Sequence, residues 1–252
     1  MNVLMVDIGG TNVKVMASHN GEMRRMPSGQ VLTASEMVRG VLALTADLEF
    51  DRVSLGLPCL VEHGKPALEP SNLGNGWVGF DYSQAFGKPV RCINDAAMQA
   101  LGNYTSGRLL FLGFGTSIGA TLIVDDVVVP IEIGLVKLNR MECLVGRLSK
   151  TALKRDGREH WMEAVLDAVE LLQNVFKPDQ TVLGGGNAKF IDPLPSNCRC
   201  VDNRSAYIGA QCLWEDSDLF ASAYATSWRI HRKGSSQNLF QHGSLPRGRP
   251  IV

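Results

Sequence analysis

The sequence has no surplus of charge of either sign. Lys+Arg and Asp+Glu each number 25 in 252 residues, so the formal net charge is zero. No nucleic-acid footprint and no polybasic membrane patch is expected from such a balance. Long apolar runs are also missing. The first one, in MNVLMVDIGG, stops at Asp7, with no basic flank and no small-residue cleavage pattern. It therefore reads as neither a signal peptide nor a membrane span, and a cytoplasmic location is expected. Cysteine occurs six times, but only Cys198 and Cys200 lie close together. A zinc site would need a second such pair, and without an export signal six cysteines do not imply disulfides. The five histidines, His19, His63, His160, His231 and His242, are scattered and read as solvated or structural.

What is present is an ordinary globular composition, 45% hydrophobic and 20% charged, enough for one large domain or two modest ones. The apolar pattern predicts a buried strand over NVLMVDIG, then two strands turned at Asn20-Gly21. Helical spacing follows over 34–47, with Thr33 or Ser35 as cap. RVSLGLP reads as a strand, 61–88 as a long aromatic-bearing loop, and VRCIND as a strand feeding a helix over 96–104. RLLFLGFG and IGATLIVDDVVVP read as a hairpin-like pair. A long helix over 150–176 has Leu153, Trp161, Val165, Val169, Leu172 and Val175 on one side. TVLGGG reads as a strand and SAYIGAQCLWE as a last helix. From about residue 218 the pattern is polar and aperiodic, and a poorly ordered tail is expected.

Two strand-to-glycine turns share a design. One is Asp7-Ile8-Gly9-Gly10-Thr11; the other is Gly113-Phe114-Gly115-Thr116-Ser117-Ile118-Gly119. Turns of this kind present successive N–H groups into a concave space that suits phosphate oxygens. Thr11, Thr116 and Ser117 add hydroxyls, and Asp7 stands where it could hold Mg2+ through water. Either turn alone could be a plain hairpin. Two, one in each half, point to a duplicated architecture gripping a phosphate chain from both sides of a cleft. Gly184-Gly185-Gly186-Asn187 could admit a flat nucleotide base, or could be a simple strand-to-helix turn. Asn94-Asp95 ends one strand and opens a helix. There a helix dipole favours an ionised carboxylate, and an aspartate also serves as an ordinary helix cap.

Four segments, VDIGGTNVKV, INDAAMQALG, LFLGFGTSIGATLI and VLGGGNAKF, occur in the order and spacing of the actin-like sugar kinases. Over roughly residues 1–215 the chain resembles the ROK family, and within it the short glucokinases that include polyphosphate-dependent members. The resemblance implies an α/β, two-domain actin-like (ribonuclease H-like) fold with an interdomain cleft. The expected halves are 1–105 and 106–217, followed by the tail over 218–252. It implies a sugar kinase using ATP or polyphosphate with Mg2+, a small-molecule acceptor, and a homodimer as assembly. Asp95 would be the general base, accepting the proton of the attacking hydroxyl. Asn72, Asn94 and Glu132 would hold the sugar. Asp7, Gly9, Gly10, Thr11, Lys14, Gly115, Thr116, Ser117, Gly119, Gly185, Gly186 and Asn187 would line the donor side, with Asp7 facing the metal. Trp77, in EPSNLGNGWVGF, would stack on the ring or pack the loop, packing being the simpler reading.

The sequence departs from the family at one telling place. Where ROK kinases carry Glu-x-Gly-His, this chain reads Glu132-Ile133-Gly134-Leu135. An unpaired substrate hydroxyl costs about 1–3 kcal/mol, so glucose itself is not implied, and an apolar wall for a different or smaller sugar or polyol is one expectation. The family's zinc-binding cysteine cluster is missing, as in the short branch. No helix-turn-helix precedes the first strand, so a repressor role is not expected. Two other functions stay open: a catalytically weak sugar or nucleotide sensor of the same fold, and a phosphatase that uses water as acceptor.

Overall fold

The computed structural model describes residues 1–19, 21–137, 142–202, 204–215, 220–221 and 227–230. Along the chain run β1 (Val3–Ile8), β2 (Asn12–Ala17), β3 (Arg24–Pro27), α1 (Ala34–Leu44), β4 (Arg52–Leu57), β5 (Val61–Glu62) and β6 (Lys65–Pro66). Then come α2 (Tyr82–Phe86), β7 (Val90–Asn94), α3 (Asp95–Leu101), β8 (Arg108–Phe114), β9 (Ile118–Val124) and β10 (Val127–Ile131). A 3-10 turn over Ile133–Leu135 leads to α4 (Leu144–Leu148), α5 (Lys150–Phe176) and β11 (Gln180–Gly184). A second 3-10 turn, Ala188–Phe190, precedes β12 (Cys198–Cys200), α6 (Arg204–Glu215), β13 (Phe220–Ala221) and β14 (Trp228–Arg229).

Two main sheets carry the fold, and they repeat one plan. The first has the order β3-β2-β1-β4-β7; the second contains β10-β9-β8-β11-β12, extended past β10 by β14 and β13. In each, three strands meander antiparallel and the next pair is parallel. β1 thus corresponds to β8, and the turn that follows each is a glycine turn. All six residues of β1 are buried, as a central strand covered on both faces requires.

Local chemistry sets the helix ends. Thr33 caps α1 in a capping box with Glu36, satisfying two backbone donors, and α1 buries Ala34, Met37, Val38 and Val41. Residues 61–88, expected as a loop with little regular structure, hold the β5–β6 ladder and α2. Asp81 caps α2 at its start, and Gly87 closes it in the left-handed conformation at φ 63°. The helix expected over 96–104 spans only Asp95–Leu101. In α5 the continuity expected over 150–176 is interrupted by Gly157, at φ 80°. Val175, expected on its apolar side, is 63% exposed.

Two other differences concern the C-terminal part. The helix assigned by sequence to the second half, α6, packs on the first sheet. Its Ala206, Ala210, Leu213 and Trp214 lie in the same core as Val3, Leu4 and Leu55. The Trp214 indole N–H donates to Ser54 Oγ at 2.8 Å, and the Arg52 and Arg91 guanidinium groups sit over its ring. Where α6 crosses α3 the backbones come so close that a Cβ on Gly102 or Gly209 would overlap the other helix's backbone. Within the expected tail, β13 and β14 pair with each other, and β14 extends the second sheet beside β10. Trp228 is buried there, so apolar burial outweighs the polar composition of its surroundings. Residues 218–219, 222–226 and 231–252, also expected to be poorly ordered, lie outside the described residues. So does Asn20 of the expected Asn20-Gly21 turn, although β2 and β3 pair antiparallel as expected.

Candidate active site

A cleft of about 520 Å³ opens between the two sheets. Every residue expected in the site lines it: Asn72, Asn94, Asp95 and Glu132, together with Asp7, Gly9, Gly10, Thr11, Lys14, Gly115, Thr116, Ser117, Gly119, Gly185, Gly186 and Asn187. The two glycine turns face each other across it. Thr11 Oγ1 and Thr116 Oγ1 are 3.2 Å apart. A Cβ on Gly10 would stand 3.3 Å from both Asn72 and Thr116 side-chain atoms, so a glycine there lets the turns approach. The Gly9 N–H is used inside its own turn, bonded to Asn12 O, as the Gly115 N–H is to Ser117 O, each at 3.0 Å. The donors left for a ligand come from the residues that follow these glycines.

Asn94 and Asp95 divide two tasks at the head of α3. Asn94 is the cap: its Oδ1 accepts from Ala97 N–H at 3.1 Å, and its Nδ2–H donates to Cys59 O at 3.3 Å. Capping therefore does not fall to Asp95. Asp95 Oδ1 accepts from the adjacent Ala96 N–H at 2.8 Å. Its carboxyl is pushed up from 3.8 to about 7, chiefly because it is withdrawn from water, and further by the negative charges of Asp7 and Glu132. The Ala96 N–H and Lys14 pull the other way and do not prevail. This corrects the expectation that the helix dipole would keep Asp95 readily ionised: one short helix end does not offset desolvation beside two carboxylates.

Asp7, 4% exposed, pairs with Lys14 at 3.1 Å, its directly opposed neighbour on β2. Asn187 ties the third glycine segment to the second turn: its N–H donates to Phe114 O at 2.9 Å and its Nδ2–H to Gly115 O at 3.4 Å. Gly185 sits at φ 84°, and a Cβ there would overlap the Phe114 carbonyl. Its being glycine is explained by this packing, without any base approaching it.

The other wall is also fixed from within. Trp77 is fully buried, and its indole N–H donates to Gly74 O at 2.7 Å, so it packs the loop and does not line the cleft. The Glu69 carboxylate accepts from the Trp77 and Val78 N–H groups. Leu135 is 78% exposed and is not a lining residue, so it presents no apolar wall to an acceptor.

Lys150, Lys189 and Gln99 are among the lining residues that were not expected in the site. Lys150 opens α5 after its Ser149 cap, and its N–H donates to Gly115 O at 2.8 Å, which fixes that helix end beside the second turn. A serine cap followed by lysine was the available signal, but the cations over 140–155 read more simply as a solvated helix face. Lys189 places its Nζ 5.0 Å over the Phe190 ring, on the same side of the cleft. Gln99 follows Asp95 by one turn of α3.

No family model matches the chain. Polyphosphate glucokinase of Mycobacterium tuberculosis is 26% identical over 157 residues, covering 56% of this chain and 59% of that protein. The chain thus matches less than two thirds of that curated relative's length. Among solved structures, the inorganic polyphosphate/ATP-glucomannokinase of Arthrobacter sp. strain KM superposes with a TM-score of 0.71 at 25% identity, covering 83% of this chain and 96% of that one. A ROK family glucokinase from Streptomyces griseus, solved with glucose and AMPPNP, gives 0.65 at 15% identity, covering 83% and 98%. Other structural neighbours include a ROK hexokinase from Thermus thermophilus (TM-score 0.57, 18% identity, covering 83% of this chain and 96% of that one) and a ROK family transcriptional regulator (0.59, 15%, covering 83% and 76%).

Proposed function

From the fold of the actin-like ROK sugar kinases, which this chain has, we propose that it transfers a phosphoryl group from ATP or polyphosphate to a hydroxyl of a small sugar. The observation that carries this reading is the convergence of both glycine turns and Asp95 on one cleft. The similar proteins named above as polyphosphate or ATP kinases support the donor class.

Asp95 acts as general base. One carboxylate oxygen is steadied by the Ala96 N–H, which leaves the other for the proton of the attacking hydroxyl. A base poised near 7 holds a proton strongly enough to take it in the transition state, yet is substantially ionised at neutral pH. Asn72, Asn94 and Glu132 orient the acceptor. The residues after Gly9 and Gly115, with the Thr11, Thr116 and Ser117 hydroxyls, hold the phosphates, and Lys150 and Lys189 add positive charge on the second-sheet side. Catalysis then rests on alignment and on charge placed before the reaction. We further take the segments either side of residues 105–106, with α6 joined to the first, as halves that close on the ligands and exclude water.

Asp7 suits Mg2+. It is a hard carboxylate oxygen donor, buried beside a phosphate cradle, and Mg2+ binds through one or two carboxylates plus waters and substrate phosphates. No group of three or more His, Cys, Asp or Glu forms an all-protein metal cage among the described residues. When bound, Mg2+ would neutralise charge on the phosphate oxygens. The small-molecule substrates and a homodimeric assembly follow the same resemblance. Among the described residues no helix is long and apolar enough to cross a membrane.

The test is a panel of hexoses, pentoses and polyols offered to the purified protein with ATP and with polyphosphate. Phosphorylated product from one pair is expected. Ligand-induced stabilisation without any product would replace the kinase by a sensor, and phosphate release without an acceptor would replace it by a hydrolase.

A further inference from the structure

Beneath the segments that lead to Gly115 and Gly185 lies a floor of the cleft that the kinase reading does not use. Gly113 on β8 and Gly184 on β11 are register partners in the parallel pair, one or two residues before the donor-side Gly115 and Gly185. Both are glycine for a visible reason. A Cβ on Gly184 would stand 2.7 Å from Phe111 Cζ, and one on Gly113 3.1 Å from Phe111 Cε1. The Phe111 ring and the end of the Gln99 side chain occupy the space so freed, with Gln99 Oε1 3.3 Å from that same Gly184 position.

Gln99 is 8% exposed and lines the cleft. It follows Asp95 by four residues in α3, so the two share a helix face. Its Oε1 is enclosed and has no hydrogen-bond partner. Its Nε2 makes no hydrogen bond either and is not among the enclosed unpartnered atoms, so it is the end that meets the open cleft. A buried amide with neither end engaged is costly, and such groups in folded proteins are ordinarily satisfied. Among the described residues no protein group fixes this amide's orientation; a ligand can.

We infer that Gln99 is a further donor-binding residue, whose amide N–H groups donate to an oxygen of the phosphoryl chain from the floor of the cleft. Its place under the residues leading to Gly115 and Gly185 puts it on the phosphate side. Ionised phosphate oxygens are acceptors only and match an N–H donor. This inference rests on the kinase reading above.

The experiment compares wild type with Gln99→Leu and Gln99→Glu. Calorimetry with inorganic triphosphate and with a non-hydrolysable ATP analogue, in the absence of acceptor, reads donor affinity directly; steady-state kinetics read the KM for donor and acceptor. Gln99→Leu is expected to weaken donor binding about 10–100-fold, as loss of one hydrogen bond to an anion does, with acceptor KM unchanged. Gln99→Glu, which keeps the shape but has no donor and adds a negative charge, should be weaker still. Tm of Gln99→Leu should not fall, since an unpaired oxygen is removed. Equal donor affinity in wild type and Gln99→Leu, or a change in acceptor KM alone, overturns the assignment of Gln99 and leaves the kinase standing. Failure of wild type to bind either phosphate compound, with no phosphorylated product, overturns the kinase reading and this inference with it.

Discussion

The hydroxyl oxygens of Thr11 and Thr116, which are 105 residues apart in sequence, meet at 3.2 Å. Each belongs to the turn that follows the strand where the antiparallel and parallel parts of its sheet meet, so a hydrogen bond joins the two repeats at the place where a phosphate chain would thread. A ligand oxygen entering there must take over at least one of these hydroxyls. Thr116→Val should therefore keep the fold and lose about 10–100-fold in donor affinity, the scale of one hydrogen bond to an ionised phosphate oxygen. Calorimetry with a non-hydrolysable donor measures it.

Asp95→Asn removes the base but keeps the shape at the head of α3, where Asn94 supplies the cap. Turnover should fall by ~10²–10⁴ while both substrates still bind. Full turnover in this variant, measured in a coupled assay, would remove Asp95 from the mechanism.

The raised pKa of Asp95 has two signatures with opposite use of the proton. The base works only when ionised, so kcat/KM should drop as pH falls below about 7 and level off above it. Stability of the ligand-free protein should show the reverse. The folded state holds this proton more tightly than the unfolded chain, so Asp95's contribution is fully present below about 4. It is lost as pH rises through about 7. Asp95→Asn should flatten that part of the Tm-versus-pH curve, which a denaturation series from pH 4 to 9 reads out.

Lys150 and Lys189 give the cleft its positive side beside Gly115 and Asn187. Changing both to Ala should raise the KM for a long polyphosphate more than for ATP, and should lessen the salt dependence of donor binding. Equal effects on the two donors would assign these lysines to the shared phosphates alone.

The crossing of α3 and α6 tolerates no side chain. Gly209→Ala would drive a methyl group into the Met98 carbonyl, and a loss of about 2–3 kcal/mol, or failure to fold, is expected. Urea unfolding measures it.

Much of the cleft was legible because its residues lie in short contiguous segments whose chemistry is local. A strand that ends in Asp7, two glycines and a threonine announces a turn with donors, and the second turn repeats it. What escaped depends on distant parts of the chain. Trp214 reads as one apolar residue of an amphipathic helix; only the fold brings Ser54, Arg52 and Arg91 around it. Lys150 looks like any lysine at a helix start until its N–H is found on Gly115. The upward push on the Asp95 carboxyl escaped for the same reason. The helix dipole is written into the neighbouring residues, whereas burial and the nearness of Asp7 and Glu132 are set by tertiary structure.

The return of α6 to the sheet that the chain leaves after β7 bears on how the molecule is made. As synthesis proceeds, the first sheet emerges early yet lacks the apolar cover that Ala206, Ala210, Leu213 and Trp214 provide. It stays unfinished until those residues have cleared the ribosome, and a fragment of residues 1–105 expressed alone should aggregate.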